Sequence, residues 1–106
     1  MEYTLIDNRE QVDKLLDGAI HIPIYSFVLE HGADALRELV PNDKPVFLYC
    51  TAGVCAEAAR NHLIDLGYKN VVNLGSKGQA FDTLKAFNKS ETKEQFLKDL
   101  LELKHE

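Results

Sequence analysis

The chain has 106 residues, 45% of them hydrophobic and 27% charged, with a net charge of −5. That size suits one soluble globular domain with a single core. The acidic balance argues against nucleic acid and anionic membrane surfaces as partners, because both require a basic footprint. The start, Met1 to Asp7, lacks the basic opening and apolar core of a signal peptide, and no apolar run approaches the length of a membrane span. The only cysteines, Cys50 and Cys55, do not make a secreted disulfide framework, so a reducing, cytoplasmic setting is expected.

Thr4-Leu5-Ile6 reads as a short strand, and Asp7-Asn8 as cap chemistry for an amphipathic helix over Arg9 to Leu16 closed by Asp17-Gly18. Ala19 to Ile22 is a brief strand stopped by Pro23. Ser26 to Val40 carries Phe27, Leu29, Ala35, Leu36, Leu39 and Val40 at helical spacing, with Gly32 as a break. Pro41 to Pro45 is a turn.

Val46 to Tyr49 has no charged residue, as expected of a strand covered on both faces. Ala56 to Leu66 is helical, with Ala59, Leu63, Ile64 and Leu66 on its apolar side and Gly67 at its end. Val71-Val72 is a strand, Gly75 to Gly78 a loop, and Ala80 to Phe87 a helix. Glu91 to Glu106 contains an amphipathic helix bearing Phe96, Leu97, Leu100, Leu101 and Leu103, with Ser90 or Thr92 as its cap; Thr92 with Gln95 fits a capping box. Strands that alternate with helices imply an α/β domain with a mostly parallel sheet covered by helices on both faces. Ligands in such sheets bind beyond the carboxyl ends of the strands.

Cys50 stands at one of those ends. A loop of small residues and an alanine-rich helix follow it, so backbone N–H groups and the positive end of a helix dipole converge near the thiol. Such a field stabilises an anion and makes a thiolate a usable nucleophile. The plain alternative is a buried core thiol. The cradle would comprise Thr51, Ala52, Gly53, Val54, Cys55 and Ala56, with Gly53 supplying the positive φ that aims N–H groups inward.

In order and spacing, the chain resembles the rhodanese-like domain family. Leu5 to Arg9 looks like its opening strand and Asp-x-Arg, and Gly18 to Pro23 like its Gly-Ala-x-x-Ile-Pro segment. Val46 to Val54 looks like its active-site strand and loop. Ala58 to Val71 looks like the following helix, glycine turn and strand, and Leu74 to Phe81 like its glycine loop and aromatic. The resemblance implies one domain over residues 1–106, with about 91–106 an added C-terminal helix. It also implies a sulfurtransferase: the Cys50 thiolate takes a sulfane sulfur from a donor such as thiosulfate, becomes a persulfide, and passes it to a thiol, cyanide or a protein thiol. No cofactor and no metal are expected, and the four histidines, His21, His31, His62 and His105, show no metal spacing.

Many family members carry Arg or Lys in the loop after the cysteine, whereas Cys50 to Cys55 holds none. Donor binding would then rely on backbone dipoles and on charges from elsewhere. Lys77 is the candidate, if the Gly75–Gly78 loop faces the cradle, against the alternative of a solvated surface lysine. Asp7 and Arg9 are read as a structural ion pair, with a direct hand in substrate binding as the lesser reading. Arg60 is expected to pair with an acidic neighbour. Cys55 admits three roles: a packing residue, a weak donor to the persulfide, or a thiol that resolves Cys50 through a disulfide.

Competing functions are a non-catalytic interaction or regulatory module and a thiol redox role for Cys50 and Cys55. A phosphatase or arsenate reductase would need Arg where Ala56 stands, to clamp a tetrahedral oxyanion, and is rejected.

Overall fold

The computed structural model describes residues 2–26 and 33–104, without the side chains of residues 33, 103 and 104. Four strands, β1 (Thr4–Asp7), β2 (Ala19–His21), β3 (Val46–Cys50) and β4 (Val71–Ser76), form one sheet in the order β2-β1-β3-β4. Every pairing is parallel. Helices α1 (Ala33–Leu39), α2 (Val54–Asp65), α3 (Lys77–Lys89) and α4 (Lys93–Lys104) cover it.

The alternation of side chains along β3 divides the core. Val46, Leu48 and Cys50 face one side, with Leu36 and Val40 from α1 and its end, and Ala56, Ala59 and Leu63 from α2. Phe47 and Tyr49 face the other, with Ala80, Leu84 and Phe87 from α3 and Leu100 from α4. All five β3 residues are buried, as a strand covered on both faces requires. On the second face the rings of Tyr3, Phe47 and Phe87 meet at centroid distances of 5.0 to 5.7 Å. Burying one such side chain contributes about 1.5–3 kcal/mol. No helix among the described residues is long and apolar enough to cross a membrane.

Several local expectations are corrected. Residues 9–16 form an irregular loop, not a helix. Asp7 does not cap a helix there; its carboxylate holds the Arg9 guanidinium and backbone N–H. The loop carbonyls of Arg9 and Lys14 meet His21 and Arg9 side chains, and the Leu16 N–H donates to the Tyr49 hydroxyl. Side chains from elsewhere thus replace the helical ladder.

Residues 75–78 are not a loop either. β4 runs straight into α3, whose first turn contains Gly78, because Ser76 and Gln79 form a reciprocal capping box. Thr92 starts α4 through its carbonyl, which accepts from the Phe96 N–H, while Gln95 turns forward to Asp99 instead of closing a box. Ile64 and Leu39 lie on exposed helix faces, at 39% and 43% accessibility. The expected Gly32 break, Phe27, Leu29, His31 and His105 lie outside the described residues.

Candidate active site

β3 brings Cys50 to the carboxyl end of the sheet interior, where its side chain is 2% exposed. The chain turns at Gly53, whose φ of 84° is left-handed. Gly53 is also the N-cap of α2 and has no side chain with which to satisfy the helix's first N–H groups. Two backbone N–H groups aim at the cysteine instead: Gly53 N lies 3.1 Å and Ala56 N 3.3 Å from Cys50 Sγ.

The loop is held from β4. The Asn73 side-chain N–H₂ donates to the Gly53 carbonyl at 2.8 Å and approaches Glu57 Oε1 at 3.3 Å. Its Oδ1 accepts the Gly75 N–H at 2.9 Å. Between Leu48↔Asn73 and Cys50↔Ser76 the β3–β4 register shifts by one residue. This bulge, with Gly75 at φ 91°, brings the Gly75 backbone beside the loop. A Cβ on Gly53 would lie 3.2 Å from Gly75 Cα. Asn73 and the bulge were not anticipated from sequence. The only signal was one amide side chain inside the run Val71-Val72-Asn73-Leu74.

A cleft of about 450 Å³ opens onto Cys50. Arg9, Glu10 and Gln11 line one side, and Thr51, Ala52, Val54 and Cys55 the other. Val54 is 75% exposed at its rim. Cys55 lies in the first turn of α2 and packs against the same core cluster as Cys50. Burial pushes its thiol pKa up, aided by the charge of Cys50, a hydrogen bond with Cys50 and the charge of Glu10. Both cysteines are free thiols.

Arg9 reaches the cleft, and four of the five N–H donors of its guanidinium are engaged. It donates to both oxygens of the fully buried Asp7 at 2.8 to 3.1 Å, to Asp13 at 3.2 Å and to the Lys14 carbonyl at 3.0 Å. It also lies 5.9 Å from the Tyr49 ring centroid. The Asp7 hydrogen bonds, above all, raise its pKa against the opposing effect of burial.

Lys77, expected as the cation of the cradle, does not line this cleft. Its ammonium meets Asp13 at 3.4 Å, and it lines a different groove with Leu16 and Phe81. The physical reason is the absence of a 75–78 loop: Lys77 is the first residue of α3, on the other side of the sheet from α2. Arg60 pairs with Glu57 at 3.1 Å, as expected.

A thiol at the carboxyl end of a parallel α/β sheet, beside the first N–H groups of the next helix, is an arrangement in which an anion can be stabilised. The sequence profile of the Rhodanese-like domain matches residues 1–77, and the chain belongs to that family. The match ends where α3 begins, so α3 and α4 lie beyond it.

Among solved structures, a rhodanese with anions from E. coli superposes with a TM-score of 0.55 at 27% identity, covering 73% of this chain and 89% of its own. An NAD-dependent persulfide reductase from A. fulgidus superposes with a TM-score of 0.52 at 26% identity. That match covers 66% of this chain but only 12% of the reductase. A comparison with curated proteins finds no significant match.

Proposed function

We propose that this chain is a sulfurtransferase that carries sulfane sulfur as a Cys50 persulfide. The observation that carries the proposal is the pair of N–H groups, Gly53 and Ala56, converging on Cys50 Sγ at 3.1 and 3.3 Å. Hydrogen bonds to a charged acceptor contribute about 1.5–3 kcal/mol each. The same pair that stabilises a thiolate stabilises a persulfide anion.

The thiolate attacks the outer sulfur of the donor, and the leaving group departs with the bonding electrons. A thiol or cyanide acceptor then takes the outer sulfur, and Cys50 regains its thiolate. Thr51, Ala52, Val54 and Cys55 shape the cleft. Asp7 and Arg9 act as a buried strut behind it. The chain works as one domain in a reducing, cytoplasmic setting, with residues 93–104 as an added helix.

A second reading, thiol–disulfide redox chemistry, is favoured by one observation: Cys55 is close enough to Cys50 for a hydrogen bond with it to help push the Cys55 thiol pKa up. Intact-protein mass spectrometry separates the two. On the sulfurtransferase reading, reduced protein gains one sulfur atom from a sulfane donor. The gain is reversed by cyanide, lost in Cys50→Ser and retained in Cys55→Ser. Failure of every sulfane donor to add sulfur to folded protein overturns the proposal. Loss of two hydrogens without sulfur gain supports the redox reading.

A further inference from the structure

The charges around the cleft bear on which donor can reach Cys50. Arg9 is the only Lys or Arg among the described residues lining it, and its charge is balanced by Asp7 and Asp13, which with the Lys14 carbonyl take four of its five N–H donors. Lys77 is turned to another groove. Glu10 lines the cleft as a carboxylate. Its Oε1 accepts the Tyr25 N–H at 3.1 Å, and its charge is felt at the Cys55 thiol. The two converging N–H groups are already taken by Cys50 Sγ. An approaching dianion therefore meets a thiolate and a carboxylate, and the one cation among the described residues lining the cleft, Arg9, is already paired with two carboxylates. The exposed loop residues beside the thiol, Thr51, Ala52 and Val54, carry no charge, and the 57%-exposed Tyr25 adjoins Glu10 through its backbone N–H.

We infer that the sulfur donor is an organic persulfide, R–S–SH, on an uncharged apolar carrier, and not dianionic thiosulfate; this rests on the Cys50 persulfide reading above. The Cys50 thiolate attacks the outer sulfur of R–S–SH. One S–S bond forms, the carrier's S–S bond breaks, and RS⁻ leaves with the bonding pair. Cys50 holds the outer sulfur with its proton, which exchanges with solvent. No oxidant or reductant is consumed. A single negative charge at most enters the cleft, and the carrier packs on Val54 and Ala52.

The test measures second-order rates of sulfur loading onto Cys50 by rapid-quench mass spectrometry. The donors are N-acetylcysteine methyl ester persulfide and thiosulfate, at low and high salt, with wild type and Glu10→Gln. Glutamine keeps the oxygen that accepts from Tyr25 and removes only the charge. The persulfide is expected to load at least about tenfold faster at low salt, as charge-dependent association allows. High salt should narrow the gap by screening the repulsion. Glu10→Gln should raise the thiosulfate-to-persulfide ratio roughly fivefold, the size of one exposed charge contact. Thiosulfate loading as fast as the persulfide overturns the inference and leaves the Cys50 persulfide standing. So does a gap indifferent to both salt and Glu10→Gln. Sulfur gain from neither donor overturns the sulfurtransferase reading itself.

Discussion

Asn73 in β4 donates its side-chain N–H₂ to the Gly53 carbonyl at 2.8 Å, so a residue of one strand fixes the turn that follows its neighbour. The same amide accepts the Gly75 N–H at 2.9 Å. Asn73 therefore holds both halves of the close approach between the loop and the β4 bulge. Asn73→Leu keeps the volume and removes both contacts. Leaving part-buried polar groups without partners costs about 1–3 kcal/mol each. A lowered urea midpoint is expected, with a larger proportional fall in Cys50 sulfur loading. An unchanged midpoint together with an unchanged loading rate would show that Asn73 does not set the loop.

Gly53 has two independent reasons to be glycine. Its φ of 84° is disfavoured for any residue with a Cβ, and that Cβ would press on Gly75 Cα at 3.2 Å. A side chain in the left-handed region costs on the order of 1–3 kcal/mol. Gly53→Ala should lower stability within that range. Gly53→Val should be worse and should abolish sulfur loading, because both N–H groups would be re-aimed. Thermal unfolding and the mass assay measure the two effects. Wild-type loading in Gly53→Val would contradict the cradle geometry.

Asp7 is fully buried, and its compensation is the Arg9 guanidinium at 2.8 Å. Removing one partner of a buried pair leaves an uncompensated charge, at a cost of about 3–5 kcal/mol. Arg9→Met should therefore be strongly destabilising. Asp7→Asn combined with Arg9→Met should recover part of the loss, because the buried charge has gone with its partner. A chemical-denaturation double-mutant cycle reads the coupling, and additive losses would argue against a coupled pair.

Tyr49 links the core to the 9–16 loop, and burial pushes its pKa from 10.0 up to about 12. The folded state thus keeps a proton that the unfolded chain releases. This contribution to stability is complete below pH 10 and is lost as pH rises toward 12. Tyr49→Phe removes the hydroxyl that accepts from the Leu16 N–H. It should lower stability at neutral pH by about 1 kcal/mol and give a flatter profile between pH 10 and 12. Urea unfolding across that range compares the two proteins. Parallel profiles would mean that Tyr49 does not carry the alkaline loss.

Features that depend on neighbouring residues were legible in the sequence. The uncharged strand ending at Cys50, the glycine that must turn left-handed and the small-residue start of α2 are local patterns with local causes. Together they put Cys50 at the strand end, where the Gly53 and Ala56 N–H groups turn toward it. The strand-and-helix alternation likewise implied the parallel sheet covered on both faces, and the Asp7–Arg9 pair lay close enough in sequence to read.

The tertiary structure decided what depends on distant partners. Residues 9–16 have a helical pattern, yet Arg9 turns back to Asp7 while Tyr49 and His21 take up the loop's backbone groups. Lys77 stands near a glycine, yet the Ser76–Gln79 capping box starts α3 there and carries it away from the cleft. Asn73 reads as an ordinary strand residue until the bulge brings Gly75 against Gly53. Hydrophobic period and turn chemistry act within a few residues of the chain, whereas hydrogen-bond satisfaction and charge pairing are settled between residues that meet only on folding.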